Sequence, residues 1–172
     1  EGDSPMFDRR SVPGGGGGYF FRWNNNNLDF NTGADRTLTA SASGIKNIGE
    51  WHHLAAVRTG ATQSIYIDGA LAASQTFASA LDVNVFSDLY ISGYVTNFGQ
   101  GINGTLDEIA VWNISLSSAD IAKHSGYGID RSNNGNNASL MFNATVNQTG
   151  ACKFGECMWF NGYSFINVTD SP

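Results

Sequence analysis

Three histidines, two cysteines and a thin scatter of carboxylates are the residues of this 172-residue chain with chemistry to offer. The one adjacent acidic pair of interest is Asp107-Glu108. Retaining glycoside hydrolysis needs two carboxyl groups facing each other across a sugar, about 5 Å apart. Neighbours on a strand point to opposite faces, so Asp107 and Glu108 cannot form such a pair. His52, His53 and His124 belong to no Ser/His/Asp motif. The sequence therefore predicts no enzyme.

Cys152 and Cys157 bracket Lys-Phe-Gly-Glu, with Gly155 placed for a turn. Four intervening residues suit a hairpin-closing disulfide, preferred here over two thiols, and the short loop implies a modest entropic gain. Two cysteines without a nearby histidine disfavour zinc. A disulfide implies an oxidising compartment. Six N-x-[ST] sequons begin at Asn103, Asn113, Asn137, Asn143, Asn147 and Asn167, all after residue 102. That is about twice what this Asn, Ser and Thr content gives by chance. Asn- and Thr-rich loops can create sequons by accident; the sharper reading is a glycosylated extracellular surface.

Composition agrees. Only 14% of residues are charged, against the usual ~25%, and polarity rests on Asn, Ser, Thr and Gly. A net charge of −6 offers no basic stripe for nucleic acid. No apolar run approaches the ~20 residues of a membrane span. No signal peptide is visible, so a mature chain is expected.

The elements that must position these residues are short strands. Within Gly49–Ala73 (GEWHHLAAVRTGATQSIYIDGALAA), strands are expected over His53–Arg58 and Gln63–Ile67, joined by Thr59-Gly60-Ala61-Thr62. Asp68-Gly69 then turns the chain into a strand over Leu71–Ser74, because glycine supplies the positive φ of a primed turn. Further strands are expected over Tyr19–Trp23, Leu28–Asn31, Arg36–Ser41, Asp88–Ser92 and Gly104–Asn113, and more weakly over Lys46–Ile48. Asn24–Asn27 reads as a turn. Glu1–Pro13 reads as polar and turn-like, and Gly14–Gly18 as a flexible loop. Ser117, with Asp120 three residues on, signals a capped helix over 117–124. Short strands punctuated by Gly and Asn predict an all-β antiparallel sandwich.

Two stretches carry a family resemblance. G-E-W-H-H-L, a turn, then I-Y-I-D-G is similar to the central hairpins of the laminin G-like / concanavalin A-like jelly rolls. G-T-L-D-E-I-A-V-W followed by the Ser117 helix resembles that family's final strand and helix. The resemblance covers Tyr19–Lys123 and implies an antiparallel jelly-roll β-sandwich with one short helix. His52-His53 would then be structural. The E-x-D-x-x-E strand of the family's glucanases is missing.

The remainder is out of order. Asp130–Leu140 and Gly155–Pro172 resemble the opening segments of such domains, yet they follow the closing helix. The expected organisation is a body over 1–125 and a C-terminal segment over 126–172. That segment would complete its own sandwich, as in a circular permutant. It could equally begin the next domain of a tandem array, or complete a neighbouring subunit's sheet in a head-to-tail filament. Leu140, Phe142, Met158, Phe160, Phe165, Ile166 and Val168 are its expected assembly residues, and the partner would be a second copy.

The resemblance also suggests ligands. Calcium wants six to eight hard oxygens. Asp130, Asn133 and Asn136, with Asp107 or Glu108, are candidate ligands, although Ser164 replaces an acidic residue of the family pattern and an Asx-rich turn would use the same residues. Glycan contacts would fall on Trp23, Tyr94, Phe98 and Tyr127 as loop or rim aromatics, with Trp51, Trp112 and Trp159 in the core. The function expected is an extracellular structural or adhesive surface protein, with a carbohydrate-binding module as the alternative.

Overall fold

The computed structural model describes residues 2–10, 17–33, 36–45, 49–78, 87–94, 100–126, 138–141, 145–147, 157–161 and 165–168, the last four of these segments by their backbone pairing. The fold is a jelly-roll β-sandwich in which every pairing is antiparallel. One layer is a seven-stranded sheet in the order β10-β13-β8-β1-β2-β3-β4. These strands are β1 (Asp3–Arg10), β2 (Gly18–Asn24), β3 (Asn27–Asn31), β4 (Thr37–Ser41), β8 (Leu89–Ile91), β10 (Ala138–Met141) and β13 (Phe165–Val168). The second layer is split into two three-stranded ladders. One joins β5 (Leu54–Thr59), β6 (Thr62–Ile67) and β7 (Ala70–Thr76); the other joins β11 (Thr145–Asn147), β12 (Cys157–Asn161) and β9 (Asn103–Leu106).

Alternation along the strands builds the core. Phe21, Leu28, Phe30, Leu38 and Ala40 meet Ile65 of β6 in one buried cluster, with Trp23, Leu54 and Ile67 packed against it. Phe21 and Phe30 meet edge to face, ring centroids 6.2 Å apart, the geometry aromatic pairs favour. Gln63 lies on the same inner face of β6, fully buried. Its amide donates to Thr32 Oγ1 at 2.8 Å and to the Arg36 carbonyl at 3.1 Å, which ties the two layers together.

Local chemistry fixes the central hairpins. Asp68 and Gly69 both take positive φ, 50° and 79°, as a primed two-residue turn requires. The Asp68 carboxylate accepts the His53 N–H at 2.9 Å and contacts His52 Nδ1 at 2.9 Å, while the Asp68 N–H donates to the His53 carbonyl. The His-His pair thus pins the turn that lies at the far end of the hairpin from β5 to β6. The helix α1 (Ser118–Gly126) starts where its cap predicts. The Asp120 N–H donates to Ser117 Oγ at 3.2 Å, and the Ser117 hydroxyl donates to the Asp120 carboxylate at 2.6 Å. Ile121 is its buried anchor.

Three expectations need correction. Glu1–Pro13 contains β1, an eight-residue strand central in the large sheet; Asp8 pairs with Arg10 along the strand and Asp3 with Arg22 of β2, and a bulge between Pro5 and Phe7 breaks the alternation that would reveal it. The strand expected over Gly104–Asn113 ends at Leu106, and the chain runs irregularly to the helix. Trp112, expected in the core, is exposed, with its ring 5.5 Å from that of His124 on α1. Lys46–Ile48 lies outside the described residues.

Candidate functional site

The face of the large sheet opposite the core is polar, and the strand registers line up its residues. Ser139, Asn167, Tyr90, Asp8, Phe20, Asn31 and Thr37 are successive cross-strand partners over all seven strands. One residue away lies an apolar row: Leu140, Ile166, Ile91, Phe7, Phe21, Phe30 and Leu38. A one-residue slip exchanges the faces of a strand, so this register is specified by the sequences of β10 and β13 as well as by the body.

Near the centre of the polar face, charges and rings saturate one another. Arg10 donates to both oxygens of the buried Asp8 carboxylate, at 2.8 and 3.0 Å. Arg22 donates through Nε and Nη2 to Asp29, and through Nη1 to Asp3 at 2.7 Å. Asn24 and Thr39 complete the shell of Asp29 at 3.0 and 2.7 Å. Both guanidiniums lie over the Phe20 ring, at 4.6 and 4.7 Å, and that of Arg10 also lies 5.1 Å from the Tyr94 ring centre. Burial raises the Tyr94 pKa, and a hydrogen bond with Asp3 raises it further, so this phenol stays neutral. Burial alone would lower the Arg22 pKa; the Tyr94 hydrogen bond and the Asp3 charge outweigh it and leave it raised.

A general acid needs a carboxyl group that holds its proton near neutral pH. Asp8 and Asp29 are each engaged by an arginine, and neither is presented to an incoming substrate. The Phe20 ring is likewise covered by cations rather than open for stacking on a sugar. The geometry serves a rigid ionic lattice across four strands. Sequence reasoning missed this cluster; its one signal was the run of Asp and Arg in Asp3–Arg10, facing Arg22 and Asp29.

The other predicted residues are scattered. Trp23 sits in β2 packed against the core rather than on a rim, and Tyr94 is buried in the ionic cluster. Asp107 and Glu108 follow β9, where Asp107 Oδ1 accepts the Glu108 N–H at 2.9 Å. Among the described residues no three His, Cys, Asp or Glu side chains gather as a metal site. Asp130, Asn133, Asn136, Phe98, Tyr127, Asn137, Phe142, Asn143 and Cys152 lie outside the described residues. Asn103 and Asn113 are exposed. Asn147 and Cys157 lie in the paired strands β11 and β12, and Asn167 in β13; Met158 and Phe160 pair with Leu106 and Gly104, Phe165 and Val168 with Met141 and Ala138. Thus β12 pairs with β9, and β13 with β8.

The family model described as the concanavalin A-like lectin/glucanases superfamily, of laminin G type, matches residues 1–122. The chain belongs to that superfamily. The match ends inside α1, so all four C-terminal strands lie beyond it. No functionally curated protein matches the chain. One solved structure similar to it is an S-layer domain-containing protein (residues 221–444) from Clostridium thermocellum, at 18% identity and a TM-score of 0.42. That similarity covers 72% of this chain, which spans only 63% of the other. Among the described residues no helix is long and apolar enough to cross a membrane.

Proposed function

We propose that this superfamily member is an extracellular, non-catalytic structural or adhesive domain whose C-terminal strands act as a complement exchanged between copies. One observation carries the reading: the segment beyond the family match supplies a strand to each layer, β13 on β8 and β12 on β9. Without it, both strands would present unpaired backbone groups, which sheets do not leave open without cost. The same pairs form whether the segment comes from its own chain or from the next, so exchange loses no contacts. In sequence, eleven residues rich in Asn and Gly, Tyr127–Asn137, separate α1 from β10.

Pairing within one chain is favoured in dilute solution, because a covalently attached segment has an effective concentration in the millimolar range. Exchange wins where copies are crowded at a surface. Each transfer is head to tail and does not close on itself, so it propagates as a chain. The arginine-bound Asp8 and Asp29 carboxylates of the polar face support the non-catalytic reading, and the exposed sequons at Asn103 and Asn113 support the extracellular one. Calcium held by Asp107 or Glu108 with Asp130, Asn133 and Asn136 would stabilise the folded chain; added calcium would then raise the melting temperature, and an unchanged melting temperature would dismiss the site. Carbohydrate binding has weaker support, since Trp23 and Tyr94 are engaged internally.

Light scattering against concentration tests the proposal. The expected result is a mass that climbs from one copy to open-ended multiples, and that Ile166→Asp in the apolar row holds at one copy. A single mass at every concentration would refute exchange.

A further inference from the structure

Between β9 and α1 the chain carries an apolar patch in the open. Val111, Trp112 and Ile114 expose 44%, 37% and 66% of their surface. Water contact on neighbouring large apolar side chains is unfavourable, and covering them is a gain. The patch is anchored to the body: the Ser115 hydroxyl donates to the Arg58 carbonyl at 2.7 Å, and Trp112 packs beside His124. In its middle stands Asn113, exposed, at the head of the sequon Asn113-Ile114-Ser115.

We propose that Asn113 carries an N-linked glycan whose first sugars lie over Trp112 and Ile114, so that the patch is covered by covalently attached carbohydrate. The donor is a polyprenyl-pyrophosphate-linked oligosaccharide. The Asn113 side-chain nitrogen bonds to the anomeric carbon of its first sugar and loses one proton. The bond from that carbon to the pyrophosphate oxygen breaks, and the lipid pyrophosphate departs with the electron pair. Pyranose rings present a face of C–H groups that packs on an indole as other apolar surfaces do. Attachment at Asn113 makes the contact intramolecular, so weak stacking is enough to hold it. Asn103, the other described sequon, is flanked by the half-buried Ile102 and by Gly104, and among the described residues has no exposed large apolar side chain next to it in sequence.

The test uses full-length protein secreted by a cell that performs N-glycosylation. Peptide mass spectrometry is expected to find the Asn113 peptide glycosylated. Enzymatic glycan removal, and separately Asn113→Gln, are expected to raise binding of a hydrophobic dye and acrylamide quenching of tryptophan fluorescence. Asn103→Gln is expected to change neither, and Ser115→Thr, which keeps the sequon, to retain both glycan and cover. An unmodified Asn113 peptide would overturn the proposal. So would dye binding and quenching that stay the same after glycan removal, the outcome if a second copy covers the patch instead.

Discussion

At the scale of single residues, the arginines of the polar face carry the largest consequences. Arg22 bonds Asp29 and Asp3 and lies over Phe20. Arg22→Ala leaves a buried carboxylate without its counter-charge, and should cost about 3 kcal/mol in urea unfolding. Arg22→Lys should recover only part of that, because an ammonium cannot reproduce the fork to Asp29 or the stacking on Phe20. Asp68 contributes to the acid limb. Its burial would raise its pKa, but the hydrogen bonds from His52 and the His53 N–H hold it below the ordinary value. A carboxyl lowered on folding adds stability above the unfolded pKa of about 4, and that stability is lost as pH falls through the folded value. Asp68→Asn should therefore flatten the loss of stability between about pH 4 and lower values, followed by thermal unfolding across pH. An unchanged acid limb would show that the carboxylate adds nothing to folding.

At the scale of elements, three glycines and one cap separate backbone need from packing need. Gly18, Gly60 and Gly69 all adopt positive φ. A Cβ on Gly60 meets nothing within 4 Å, so Gly60→Ala should cost only the strain of its backbone, about 1 kcal/mol. On Gly69 it would lie 2.4 Å from Ser125 Oγ and 3.1 Å from the Ala122 Cα, so Gly69→Ala should also lift α1 from the turn beneath it and cost clearly more. On Gly18 it would lie 1.9 Å from the Arg9 carbonyl oxygen, which the strand pair cannot accommodate. Ser117→Ala should cost about 1 kcal/mol by removing the cap of α1, seen as a lower unfolding midpoint with an unchanged slope. These elements were legible in the sequence because their signals are local: Asp-Gly at a turn, Ser-x-x-Asp at a helix start. The strand β1 was not, since its Asp and Arg look solvated until Arg22 is placed beside Asp3 and Arg10 is seen to close on Asp8. The exposure of Trp112 was hidden for a related reason, that nothing local marks where β9 stops.

At the scale of the whole molecule, the jelly-roll followed from the Trp51–Ala73 hairpins and the Leu106 region together. Where the last four strands go did not follow from them. Their pairing depends on matching an apolar row and a polar row over segments about 80 residues apart in the chain, Leu89–Ile91 and Phe165–Val168, and no local rule carries that information. The ionic cluster was likewise invisible because its members come from four strands and a loop. The central claim is that β13 pairs with the β8 of another copy when copies are crowded. Tyr90 and Asn167 are direct partners in that register, so cysteines at the two positions report it. Chains carrying only Tyr90→Cys are mixed at high concentration with chains carrying only Asn167→Cys, then oxidised and separated without reductant. A covalent dimer in the mixture, and a ladder from chains carrying both substitutions, is the predicted result. A mixture that stays monomeric, while the double variant closes only within its own chain, would contradict the account.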